Sequence, residues 1–136
     1  EWTIAYVTER KMFGHTLADF QNTRFKLAEL HAEVLTQRVF VDRCIELHLK
    51  GNFDPTDAAA AKLVTTELQG RVMDQCLQLF GGWGYMWEYP IARAFADARM
   101  CRLGGGTAEV MRQIIGNALL PKVRKASEEK VVPTST

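Results

Sequence analysis

An excess of charge of one sign is missing from this sequence. Seventeen basic residues face sixteen acidic ones, leaving a net charge of +1 over 136 residues. The signs are interspersed, so neither a nucleic-acid footprint nor a basic patch for a membrane surface is expected. No apolar run reaches the length that crosses a bilayer, and no signal-peptide pattern is present. Cysteine is scarce. Cys44, Cys76 and Cys101 are odd in number and lack metal-ligand spacing. They read as buried, reduced thiols in a reducing compartment. His15, His31 and His48 form neither a triad nor a metal site. His15 falls in a loop, and the other two fall in helical pattern as surface or satisfied residues. No zinc pair, Walker-type loop or nucleophile elbow occurs. No stretch alternates with period two long enough to suggest a strand pair.

What is present is helical. The length suits one domain with a real core, and 47% hydrophobic residues is ordinary for a globular chain. Residues 1–12 carry Trp2, Tyr6 and Met12 among polar positions, and Phe13-Gly14 reads as the stop. From about 18 to 50, Leu27, Leu30, Val34, Val41 and Ile45 recur on one helical face, with Gly51-Asn52 as the end signal. Asp54-Pro55-Thr56-Asp57 is a helix start: Asp54 caps, Pro55 suits the first position, and Asp57 favours the first turn. That helix runs to Phe80. Pro90–Met100 and Thr107–Leu120 follow. The expected fold is all-α, an up-and-down four-helix-bundle-like domain with additional short helices, over residues 1–120. Residues 121–136 form a polar tail expected to fray. The sequence opens on Glu1-Trp2 without a start Met, inside a helical pattern. It therefore reads as a fragment of a longer protein, in which any upstream targeting segment would not be visible.

Three segments could carry chemistry. In Leu77–Pro90 a helical run ends in Gly81-Gly82, and aromatics crowd the loop that follows. On the residues alone this is equally a Gly C-cap with its hydrophobic contact or a loop that lets a flat ligand approach the main chain. Trp83, Tyr85, Trp87 and Tyr89 suit packing or stacking. In Tyr6–Gln21, Arg10 is either a solvated base at a helix C-terminus or a guanidinium clamp for a pyrophosphate. Gln21 taken alone is a surface glutamine. In Asp97–Arg112, Gly104-Gly105-Gly106-Thr107 is either an ordinary loop or a helix entry that offers free amides. Thr107 and Glu109 lack capping-box spacing, which leaves Glu109 freer to touch a ligand hydroxyl.

Taken in order, these segments resemble the C-terminal domain of the acyl-CoA dehydrogenases. The landmarks are Arg-Lys-x-Phe-Gly with a later Gln (Arg10 to Gly14, Gln21), Gln-x-x-Gly-Gly-x-Gly-Tyr (Gln78 to Tyr85), and Gly-Thr-x-(Glu/Gln) (Gly106 to Glu109). The string from Trp83 to Pro90 is similar to the long-chain type. The resemblance implies a flavin-dependent oxidation of acyl-CoA to trans-2-enoyl-CoA, with FAD as cofactor. It implies FAD contacts from Arg10, Phe13, Gln21, Gln78, Leu79, Phe80, Gly81, Gly82, Thr107 and Glu109. Arg10 would reach the FAD of a neighbouring subunit, and Gly105 and Gly106 would border the substrate thioester. It also implies a homo-oligomer (dimer or tetramer), an electron-transfer flavoprotein as redox partner, and a bacterial cytoplasm or mitochondrial matrix.

One departure matters. Many family members place a glutamate, the base for the substrate α-proton, where this chain has Gly105. In long-chain and isovaleryl types the base lies on an earlier helix, so no catalytic residue is expected among these residues. Gly104 replaces a customary aromatic. The other reading is a catalytically inert helical oligomerisation module, or a family member without dehydrogenase activity.

Overall fold

The first helix, α1 (Trp2–Glu9), stops three residues before its apolar pattern does. Arg10 is already extended, at φ −68° and ψ 119°. Lys11–Met12 (β1) then pairs antiparallel with His15–Thr16 (β2), Lys11 opposite Thr16 and Met12 opposite His15. This corrects the expectation of no strand pair. Phe13 and Gly14 both take left-handed backbone, at φ 52° and 81°, as a tight two-residue hairpin turn requires. Strands this short leave no period-two signature to read. The structure is a computed structural model and describes residues 1–120, so the expected tail over 121–136 lies outside the described residues.

A one-turn 3-10 helix, Leu17–Asp19, follows the hairpin. The Thr16 amide and hydroxyl donate to the Asp19 carboxylate at 2.9 and 2.8 Å. These bonds, the hydroxyl first, hold Asp19 below the usual carboxylate range. Helix α2 (Gln21–Leu49) ends as its glycine predicts. Gly51 sits at φ 72°, and the Gly51 and Asn52 amides donate back to His48 and Leu47, both at 3.0 Å. That is the paired-carbonyl closure of a Schellman end.

Helix α3 (Pro55–Phe80) starts as expected, with Asp54 accepting from the Thr56 amide at 2.6 Å and Pro55 opening the helix. α3 organises the rest. α1, α2, α4 (Pro90–Cys101) and α5 (Ala108–Leu119) all pack against it. α2 and α3 run antiparallel: Arg71 of α3 pairs with Glu33 of α2, while near the connecting loop Cys44 faces Ala58 and Ala61 across one hollow. Small buried residues, Ala59, Ala92, Ala98 and Ala108, let the helices approach closely. Ile91 and Met111 fill the space between, and each such side chain removed from water contributes about 1.5–3 kcal/mol.

The all-α expectation holds, but the core is narrow. Of the apolar face of α2, Leu30 is buried, while Val34 and Ile45 stay 45% and 51% exposed. One packed neighbour covers only part of a long amphipathic stripe. The cysteines divide: Cys44 is buried, Cys76 half-buried, and Cys101 exposed near the end of α4. Cys76 and Cys101 thus correct the expectation of three buried thiols, which Cys44 alone of the three meets.

Asp54 caps α3, and the Thr56 amide holds its carboxyl below the ordinary value of 3.8. Its contribution is therefore present above pH 3.8 and fades as pH falls through the lower folded value. Asp54→Ala is expected to lower Tm near neutral pH by roughly a few degrees. Thermal melts across pH should show that gap closing below 3.8; a gap constant down to acid pH would exclude the charged cap.

Candidate functional site

The C-terminal end of α3 meets α1 through three rings. Tyr6 stacks on Phe80 at 4.1 Å between centroids and 18° between planes, and the Tyr6 hydroxyl donates to the Phe80 carbonyl at 3.3 Å. Tyr89 stands edge-on to both. Phe80 is thus buried, its ring committed to packing. The chain then reverses through a 3-10 helix, Gly81–Tyr85. Gly81 needs its glycine for conformation, at φ 58° and ψ −138°. Gly84 needs it for space: a Cβ there would lie 2.6 Å from the Leu77 carbonyl oxygen. A Cβ on Gly82 would meet nothing within 4 Å. Tyr85 and Trp87 face outward, and Trp83 leans on Tyr89 at 5.8 Å.

This arrangement leaves an open groove of about 820 Å³ between the Gly81-Gly82 reversal, the end of α1 and the start of α2. Arg10, Gln78, Leu79, Phe80, Gly81 and Gly82 all line it, so six of the predicted contacts converge. Lys26 of α2 lines it too, beside apolar Leu17, Phe20 and Met86. Among the described residues no carboxylate lines the groove. Such a surface suits an anionic group attached to a flat apolar body. Gln21 and Phe13 do not line it. Gln21 is exposed at the first residue of α2. Phe13 is 85% exposed at the hairpin tip in left-handed backbone, a strain that a bulky residue rarely carries.

The glycine turn before α5 is a separate place. Lys62, which faces it, and Gln78, which lines the groove, are roughly 24 Å apart along α3 at about 1.5 Å per residue. Gly105 and Gly106 take φ 64° and 94°. Lys62 of α3 donates its ammonium to the Gly106 carbonyl. Thr107 caps α5, its hydroxyl accepting from the Val110 amide at 3.3 Å. Glu109 is exposed but has local partners: its own amide first, then the Thr107 hydroxyl, keep its carboxyl below the usual range. Glu67 of α3 takes Arg112 of α5 and, at 3.8 Å, Arg102 beyond α4. Among the described residues no three metal-ligating side chains gather.

Sequence reasoning missed Tyr6, Lys26, Lys62 and Glu67. Tyr6 carried a signal, as a polar aromatic in an apolar stripe. The other three are charged residues in long helices, and only tertiary packing tells them from solvated ones.

Residues 1–120 match the family model described as acyl-CoA dehydrogenase, C-terminal domain. The chain is 48% identical over 120 residues to a long-chain specific acyl-CoA dehydrogenase, mitochondrial, of Rattus norvegicus, covering 88% of this chain and 28% of the relative. It is 37% identical to a short-chain specific acyl-CoA dehydrogenase of Megasphaera elsdenii, covering 86% of this chain and 30% of the relative. Among solved structures, an acyl-CoA dehydrogenase of Geobacillus kaustophilus superposes with a TM-score of 0.84 at 42% identity, over 87% of this chain and 31% of that one. A glutaryl-CoA dehydrogenase of Mycobacterium smegmatis in complex with FADH2 does so at 0.83 and 26%, over 87% and 31%. The chain thus spans less than a third of the length of each of these relatives.

Gly84→Ala is expected to cost roughly 1–3 kcal/mol, because backbone stands where the methyl group must go. Gly82→Ala is expected to change stability by less than about 1 kcal/mol. Urea unfolding of both variants checks the pair, and equal effects would remove the packing role of Gly84.

Proposed function

This chain belongs to the acyl-CoA dehydrogenase family, as its C-terminal domain, and from that premise we propose the activity of the protein that carries it. The protein is a flavin-dependent dehydrogenase that oxidises acyl-CoA thioesters to trans-2-enoyl-CoA, in fatty-acid or branched-chain acyl breakdown. The supporting observation is the groove at the end of α3, where among the described residues Arg10 and Lys26 stand without a lining carboxylate beside exposed glycine backbone. FAD, when bound, supplies the acceptor for the hydride that leaves the substrate. Arg10 offers a planar, paired donor to a pyrophosphate, and Lys26 adds a second cation. Gly81 and Gly82 leave their main chain open to a ring system, with Gln78 at the same edge.

Thr107 and Glu109 are assigned to the cofactor at the second place, with Gly105 and Gly106 beside the thioester. The separation along α3 supports contact with two cofactors, one of them a neighbouring subunit's. Phe13 and Gln21, exposed and outside the groove, are assigned to the same partner-facing surface. The apolar groove of about 640 Å³ between α2 and α3, lined by Val34, Val41, Ile45 and Val72, supports burial within a homo-oligomer, dimer or tetramer. The α-proton is assigned to a carboxylate on an earlier helix, since Gly105 has no side chain to take it. An electron-transfer flavoprotein is the proposed redox partner, in a bacterial cytoplasm or mitochondrial matrix.

The decisive measurement is flavin absorbance of the full-length protein, then its bleaching by a panel of acyl-CoAs. A protein that holds no flavin would be the inert helical module instead. Arg10→Ala is expected to weaken FAD retention by roughly 1.5–3 kcal/mol, the worth of one charged hydrogen bond. Lys26→Ala should act in the same direction. Equal flavin content in parent and Arg10→Ala after long dialysis would remove Arg10 from the site.

A further inference from the structure

The turn that opens α5 has a conformational weakness. Gly105 and Gly106 both sit in left-handed backbone, where glycine rests easily but is not confined. Main-chain bonds fix its flanks: the Gly104 amide donates to Met100 at 2.9 Å, and the Ala108 amide to Arg102 at 3.2 Å. Among the described residues the middle is met by Met111 of α5, whose Cε would lie 2.7 Å from a Cβ on Gly106, and by one charged side chain, from α3. Lys62, in the body of α3, donates its ammonium to the Gly106 carbonyl. A Cβ placed on Gly105 would lie 3.8 Å from the Lys62 Cε. One lysine therefore touches the carbonyl of Gly106 and underlies Gly105. Among the described residues its charge is not shared with a carboxylate. Glu67, five residues further along α3, is taken by Arg112 and Arg102.

The structure assigns Lys62 as a positioning residue that fixes the Gly105–Gly106 turn against the substrate thioester. This rests on the proposal above that the turn borders the thioester. Lys62 does not touch the reacting atoms. It restricts a flexible glycine pair so that its amides and carbonyls hold one orientation while the thioester is bound. Misplacement by a fraction of an ångström at such a surface lowers the rate of the step rather than the stability of the fold.

The test uses the full-length flavoprotein with Lys62→Met and Lys62→Arg. Lys62→Met is expected to slow flavin bleaching at saturating acyl-CoA by roughly tenfold or more, the loss of one charged hydrogen bond. Flavin content and Tm should stay near the parent's. Amide exchange over residues 104–108 should accelerate while the middle of α3 keeps its protection. Lys62→Arg, which keeps a charged donor, should recover most of the rate. Should Met leave the protein unfolded, Lys62→Gln, with a donor on a shorter stem, is read the same way. Parent-like bleaching and parent-like exchange in the Met variant would overturn the assignment. A parent protein that holds flavin but bleaches with no acyl-CoA would instead overturn the proposed reaction and the thioester role. Exchange over 104–108 would then still decide whether Lys62 holds the turn.

Discussion

The stack of Tyr6 on Phe80 is the contact on which the groove depends. It joins the first helix to the last turn of the third, 74 residues apart in sequence. Phe80 is then fixed by its ring and by its carbonyl, so the reversal at Gly81 starts from a set position. Arg10 follows Tyr6 by about one helical turn and is extended, which turns it to the groove side of the stack. Without the stack, Arg10 and the Gly81-Gly82 backbone would belong to segments with no reason to meet. A ring–ring contact of this kind adds about 0.5–1.5 kcal/mol beyond area burial. Its larger effect is geometric, because two loosely held termini become one edge.

The legible parts of the fold were those governed by local chemistry. Asp54-Pro55 placed the start of α3 because a carboxylate cap and a proline ring act within three residues. Gly51 placed the end of α2 for the same reason. The hairpin at Phe13-Gly14 was hidden because phenylalanine is a poor left-handed residue, so the dipeptide reads as a helix stop. The packing role of Gly84 was hidden because what excludes a Cβ is the Leu77 carbonyl seven residues back, and sequence shows no distances. Lys62 and Gly106 lie 44 residues apart, and no pattern on either side announces the pair. Of the predicted site, the glycine loop and Arg10 converged. Gln21 and Phe13 stayed outside, because a motif records order along the chain and not the direction a side chain takes.

The two places of interest differ in how they are held. The groove edge is held by rings and sterics, which are insensitive to salt and to pH. The glycine turn is held by charge: Lys62 on a carbonyl, and Glu67 between two arginines that arrive from opposite sides of the turn. Exposed electrostatic ties weaken as salt rises, whereas a ring stack does not. The two places therefore answer differently to ionic strength.

The narrow core bears on both. Val34, Leu35, Val39 and Ile45 of α2 remain between 45% and 65% exposed, far more apolar surface along one helix than scattered surface residues would give. Helix α2 packs against α3 on one side and leaves these side chains exposed on the other, the mark of a surface that can meet a partner. The groove wall contributed by Lys26 and Thr23 sits on that same helix. On the proposed reading, a partner that covers the open face of α2 would also steady the wall on which Lys26 stands, so assembly and cofactor binding would be coupled through one helix.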